Sequence, residues 1–325
     1  MAPASPPVGS LWFYLIFFAV VLVMIAVDML ALKHSGAHRV STREALGWTG
    51  VWVSIAVLFG AALWWWLARD PAFGPQIAGQ KTMEFFTGYV IEKALAVDNI
   101  FVFLLIFSFF GIAPEQQRRV LLYGVLGAIV LRALMVWLGA LLVAQFAWVL
   151  YLFGAFLLFT GLKMLKGNES EPDIGHNRIL TWLQRHIRIS PNADGEHFFT
   201  RHKGLWHATP LFFCLVMIEL SDVVFAVDSI PAIFAVTLDP FIVLTSNILA
   251  ILGLRALYFL LANMIERFYL LQVGLALVLC FIGLKMLVAH WLHIPAAASL
   301  VVVFVLLGAS IALSLLRPKP PTPHA

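Results

Sequence analysis

The chain has 325 residues, 62% of them hydrophobic and only 12% charged, with a mean hydropathy of +0.95. That composition excludes a soluble globular domain and leaves a polytopic membrane protein. The net charge of +4 follows loops rather than forming one patch, which excludes a nucleic-acid surface.

Apolar runs of the roughly 20 residues needed to cross a bilayer recur at 10–33, 45–68, 84–110, 118–143, 146–165, 208–236, 241–262, 268–289 and 295–316. The expected fold is all-α, a polytopic membrane helix bundle of nine spans. Residues 1–70 hold two N-terminal spans. No basic stretch precedes the first, so residues 11–33 read as a retained span rather than a cleaved leader. It carries one acid, Asp28, open to two readings: an interfacial carboxylate close to Lys33, or a metal ligand turned inward. The second span ends in Trp64, Trp65 and Trp66, which suit the aromatic belt of a membrane interface.

The third span, EFFTGYVIEKALAVDNIFVFLLIFSFF, places Glu92, Lys93, Asp98 and Asn99 at membrane depth. An ionisable group there costs about 3 kcal/mol, so it faces the bundle interior and usually marks an ion path. Glu92 and Asn99 are seven residues apart and share a face, whereas Asp98 lies off that stripe. Lys93, beside Glu92, reads as a tethered counter-ion. Arg132 in the fourth span sits too deep to snorkel, and its guanidinium needs carboxylates from the acidic helices.

Residues 167–207 form one long loop. Within it RILTWLQRHIRI (178–189) puts Ile179, Leu180, Leu183 and Ile187 on one face, as expected of an amphipathic helix on an anionic leaflet. The spacings of His176, His186, His197, His202 and His207 match no compact metal site.

The sixth span, with CLVMIELSDVVFAVDSIPAIFAVT at 214–237, carries Glu219, Asp222 and Asp228. Glu219, Asp222 and Ser229 share a stripe, but Asp228 lies far round the helix, so convergence of all of them requires a bend. Pro231 cannot bond the carbonyl of Val227 and is the expected helix break. Cys214 and Cys280 read as small core residues. Arg255 in the seventh span repeats the situation of Arg132. The tail at 318–325 is Pro-rich and expected to be disordered.

The third and sixth spans resemble each other. Ala96-Val97-Asp98 aligns with Ala226-Val227-Asp228, pairing Glu92 with Asp222. Leu131-Arg132-Ala133-Leu134 recurs at 254–257, and Gly161-Leu162-Lys163-Met164-Leu165 at 283–287, with offsets of 130, 123 and 122. Residues 84–166 and 208–290 thus form two units of three spans, with a last span at 295–317. An odd number of spans per unit makes this an inverted repeat, whose substrate site is expected near the midplane. Basic residues of the loops and span ends divide 14 to 2 between the two sides, which puts the N-terminus outside and the C-terminus in the cytoplasm.

The acids Glu92, Asp98, Glu219, Asp222 and Asp228, with Asp28 a sixth candidate, outnumber Lys93, Arg132 and Arg255 by two or three charges. A divalent cation neutralises that surplus, as do protons, and alternation between the two states is a basis for exchange. Carboxylate, amide, hydroxyl and carbonyl oxygens favour Mg, Ca or Mn.

EKALAVDNIFVF (92–103) and IELSDVVFAVDSIPAIFAVT (218–237) resemble the TerC family and, within it, the Alx branch, over nearly the whole chain. That family is named for tellurium resistance and is associated with manganese export. The resemblance implies that Glu92, Asp98, Asn99, Glu219, Asp222, Asp228 and Ser229 form the ion site, and it raises Mn²⁺ above Mg²⁺ and Ca²⁺ as the transported substrate. The expectation is an inner-membrane exporter exchanging Mn²⁺ against protons, not an enzyme, in contact with lipid and compatible with a homo-oligomer. The rivals are a transporter of an organic cation or amino acid, an intramembrane hydrolase with a carboxylate pair, and a non-transporting partner in a membrane stress complex.

Overall fold

A computed structural model of the protein describes residues 7–35, 41–146, 148–166, 182, 187, 197–202, 205–262, 270–289, 291–292 and 294–316; the side chains of residues 30–35, Asp98, Phe101, His202 and Asp228 lie outside the described residues. So do His176, His186, most of the expected amphipathic helix at 178–189, and the tail at 318–325.

The chain forms α1 (Leu11–Ser35), α2 (Thr42–Arg69), α3 (Gly74–Phe109), α4 (Pro114–Gln145) and α5 (Val149–Leu165), then a hairpin of β1 (Phe199–His202) and β2 (Leu205–Ala208). After it come α6 (Pro210–Phe234), α7 (Pro240–Leu252), α8 (Leu254–Ala262), α9 (Leu271–Val288) and α10 (Ala296–Leu316). Six of these helices, α1, α2, α4, α6, α9 and α10, are long and apolar enough to cross a membrane, and the bent pair α7–α8 makes a seventh. The fold is therefore an all-α polytopic membrane bundle of six or seven candidate spans. α3 is 36 residues long but too rich in charge to qualify, and α5 has only 17 residues. The hairpin falls within 167–207, where the sequence predicts a loop, and on into residue 208; it pairs Phe199 with Ala208 in antiparallel register and packs on α6.

Local chemistry fixes the helix ends. Ser41 caps α2 by accepting from the Glu44 amide at 3.2 Å. Gly111 closes α3 with φ +62°, a left-handed turn that a side chain disfavours, and Pro114 then opens α4. Asp239 caps α7 through the amides of Phe241 and Ile242, ahead of Pro240 at its first turn.

α3 runs through the middle of the bundle, with α2, α6, α7 and α10 against it, while α4 lies on α6 and α7. α5 and α9 form the tightest crossing. A Cβ on Gly161 would stand 2.7 Å from the carbonyl oxygen of Ala276 and from Cys280 Sγ, and one on Gly283 would stand 2.7 Å from the carbonyl oxygen of Gly154. Phe17, Phe85 and Phe241 centre an apolar cluster where α3 begins; Phe107, Leu211, Phe213, Cys214 and Tyr258 centre another where α3 ends.

Candidate cation site

Arg132 is 1% exposed and stands where α3, α4, α6 and α7 meet. Its Nη1 donates to Glu92 Oε1 at 2.5 Å, to Ser229 Oγ at 2.8 Å and to Asn247 Oδ1 at 3.0 Å. Nη2 and Nε donate to Asp222 Oδ1 and Oδ2 at 3.2 and 3.4 Å, and Asn99 Nδ2 reaches Asp222 Oδ1 at 3.5 Å. Glu92, Asn99, Asp222, Ser229 and Asn247 are all buried. The structure thus brings together five of the sequence-predicted residues (Glu92, Asn99, Asp222, Ser229 and Arg132) and adds Asn247. Asn247 was missed although its signal was available: an amide inside an apolar span.

The cluster has more acceptors than donors. Nη1 has two N–H bonds for three oxygens. Glu92 Oε2 and Asn99 Oδ1 are buried with no hydrogen-bond partner, although buried polar atoms are rarely left so. Two carboxylates face one guanidinium, a net charge of one minus among the described side chains. Surplus oxygens and surplus negative charge are what a cation satisfies. No three carboxylate, imidazole or thiol side chains lie within reach of one ion among the described residues; Asp98 and Asp228 sit on α3 and α6, but their side chains are outside that set.

Two expectations are corrected by geometry. Lys93 does not pair with Glu92: its Nζ donates to the carbonyl of Ala250 at 2.9 Å and lies over the Tyr89 ring. That carbonyl is free because the helix breaks at Gly253, where α7 and α8 meet with a bend of 43°. α6 instead continues through Pro231 to Phe234. Pro231 falls in its last turn, where losing one N–H no longer breaks a following helix.

Glu219 stands apart from Arg132. Its carboxylate packs on α4 at Gly127, where any Cβ would collide with it, and Oε2 has no hydrogen-bond partner. Asp28 is not an interfacial carboxylate: it is turned inward, buried, and pairs with Arg255 Nη2. Arg255 and Asp222 line the same small cleft between α3, α4, α6 and α8, about 10 Å³ in volume, and Arg255 Nη1 is buried without a hydrogen-bond partner.

A second polar group, missed in the sequence reading, lies where α3 begins. Lys81 Nζ is 3.2 Å from Glu84 Oε2 and 3.5 Å from Asp239 Oδ2, and Glu84 accepts from Thr237 Oγ1 at 2.7 Å and from Gln80 Nε2 at 3.0 Å. Lys81 precedes the apolar run at 84–110, where a charge is expected to face water, yet it is buried. Beside this group a cavity of about 470 Å³ is lined by Gln80, Glu84, Val236, Lys285, Leu292 and Ala296, among others.

The model of the integral membrane protein TerC family matches residues 77–320. A protein of Salmonella typhi described as "Putative membrane-bound redox modulator Alx" is 55% identical over 288 residues, 89% of each chain. A protein of the same description from Photorhabdus laumondii is 52% identical over 90% of this chain and 91% of its own. An uncharacterized membrane protein of Myxococcus xanthus is 47% identical over 97% of this chain and 95% of its own. No solved structure matches the chain.

Proposed function

The chain belongs to the TerC family of integral membrane proteins, and on that premise we propose that it transports a divalent metal cation, Mn²⁺, outward across the inner membrane in exchange for protons. The observation that carries this reading is the acceptor surplus around Arg132: Glu92 Oε2 and Asn99 Oδ1 are buried and unpartnered beside two carboxylates that share one guanidinium. Oxygen-only donors suit Mn²⁺, Mg²⁺ and Ca²⁺ over Zn²⁺ or Cu²⁺. The preference for manganese rests on the resemblance of the paired acidic motifs to that family.

The proposal includes nine crossings, with α3 and α5 counted as spans and α7–α8 as one broken span, and an inverted repeat. Contacts between the units support the repeat. Under the offset of 122, Gly161, Ala276 and Cys280 correspond to Gly283, Gly154 and Leu158. A Cβ at Gly161 would meet Ala276 and Cys280, and one at Gly283 would meet Gly154 and Leu158. Each contact is the other with the two units exchanged. Likewise α4 lies on α6 while α7 lies on α3, the first helix of each unit against the second of the other. The N-terminus is placed outside by the distribution of basic residues.

The relatives' description points to redox chemistry. This chain has two free thiols for it, but Cys214 lies in the cluster at the end of α3 and Cys280 beside Gly161, on different helices. The acid–arginine core favours cation handling. Flux of Mn²⁺ into proteoliposomes tests the reading. Glu92→Gln, Asp98→Asn, Asp222→Asn and Asp228→Asn, each correctly inserted, lower the flux about tenfold or more, the change expected when an ion loses about 1.4 kcal/mol or more of stabilisation. Variants as fast as the parent overturn it.

A further inference from the structure

The two ends of the ion path differ in a way that the repeat makes readable. The 470 Å³ cavity lies where α3 begins and α6 and α9 end, with Glu84 and Lys285 in its wall. Glu84 is eight residues from Glu92, about 12 Å along α3 at 1.5 Å per residue. Under the repeat offsets of 130 and 122, Glu84 corresponds to Cys214, Val236 to Ile106, and Lys285 to Lys163. At that opposite end Cys214 and Ile106 are buried, packed with Phe107, Leu211 and Phe213. Among the described residues one end is open, while its counterpart at Cys214 and Ile106 is packed.

The two arginines differ in the same sense. Arg132 holds Glu92 and Asp222, whereas its counterpart Arg255 is held by Asp28 with one Nη unpartnered, across a shared cleft from Asp222. Asp28 lies outside both repeated units, so this latch has no partner in the first. Inverted repeats alternate access by exchanging the conformations of their two copies.

We infer that the 470 Å³ cavity is the outward vestibule of the cation path, that its counterpart around Cys214 opens inward in a second state, and that Asp28 sets the balance by keeping Arg255 from Asp222. This rests on the transport reading above. Entry to the second state moves Arg255 to Asp222 as Arg132 releases it, uncovers Cys214 to the cytoplasm and closes the vestibule beside Val236.

The test uses the full chain in membrane vesicles of both orientations and a membrane-impermeant maleimide, with and without Mn²⁺. Cys280→Ser leaves Cys214 as the inner probe; Val236→Cys with Cys214→Ala and Cys280→Ser gives the outer one. A minor state is populated at about 0.1–10%, so Val236→Cys reacts about tenfold or more faster than Cys214. Val236→Cys labels only from outside and Cys214 only from inside. Asp28→Asn raises Cys214 labelling about tenfold and lowers that of Val236→Cys, while Asp28→Glu keeps the parental rates. The inference is overturned if both rates move together or neither moves. Should Asp28→Asn fail to fold, the sidedness in the parent decides alone: labelling of Cys214 from outside, or not at all, overturns it. Reciprocal labelling without Mn²⁺ flux keeps the two-state path and removes the cargo; Mn²⁺ flux without reciprocal labelling overturns this inference and keeps the transport reading.

Discussion

Arg132 and Asp222 meet edge to edge, with Nη2 on Oδ1 at 3.2 Å and Nε on Oδ2 at 3.4 Å. This fork geometry is open to arginine and not to lysine. Because Glu92 occupies the remaining Nη, one planar cation ties α3 to α6 through α4. Removing a single partner of such a buried set costs about 3–5 kcal/mol by stranding the other charges. Arg132→Ala therefore lowers the unfolding temperature of the detergent-solubilised protein sharply, and Arg132→Lys lowers it less. An Arg132→Ala protein as stable as the parent would show that the cluster carries no structural charge.

Gly161 and Gly283 predict matched losses. Each would bring a Cβ to 2.7 Å from a backbone oxygen of the facing helix, so α5 and α9 must separate to admit a methyl. Overpacking of this kind costs about 1–3 kcal/mol. Gly161→Ala and Gly283→Ala should lower the denaturation midpoint by similar amounts, and a large disparity would count against their equivalence.

Gly127 leaves the space that the Glu219 carboxylate fills. Gly127→Ala alone is expected to destabilise the protein, whereas a Glu219→Ala background removes the three atoms nearest to the added methyl. The double-mutant cycle should give a coupling of about 0.5–3 kcal/mol, the range for residues in contact. Additive effects would separate the two.

Lys93 carries the carbonyl that the break at Gly253 releases. Lys93→Met keeps the stem and removes the donor, leaving the oxygen of Ala250 unpaired at a cost of about 1–3 kcal/mol. Hydrogen exchange should show faster opening of 250–257 in this variant, with α1 and α10 unaffected. Uniform exchange would place the role of Lys93 elsewhere.

Hydropathy made some helices legible to within a few residues, since α2 was expected at 45–68 and spans Thr42–Arg69 and α6 was expected at 208–236 and spans Pro210–Phe234, but it missed the polar first ten residues of α3, expected from 84 and beginning at Gly74. Arg132 was legible too, since a guanidinium at that depth has to find carboxylates. The break was not. Pro231 is conspicuous in sequence but sits in a last turn, while Gly253 lies unannounced between two leucines in an apolar run. Lys93 and Asp28 were misplaced because near neighbours in the chain, Glu92 and Lys33, are visible in sequence and partners from distant helices, Ala250 and Arg255, are not. Lys81, Glu84 and Asp239 were overlooked because charges at span ends ordinarily face water.

The central claim is that Glu92 and Asp222 hold a divalent cation in the space they share with Arg132. Titration of Mn²⁺ into the purified, detergent-solubilised protein, followed by loss of the free-ion electron paramagnetic resonance signal, tests it most directly. The parent should bind saturably, with Glu92→Gln and Asp222→Asn each weakening binding about tenfold or more, the equivalent of about 1.4 kcal/mol. Folded Glu92→Gln and Asp222→Asn proteins that bind Mn²⁺ as tightly as the parent, or a parent that binds none, would contradict it.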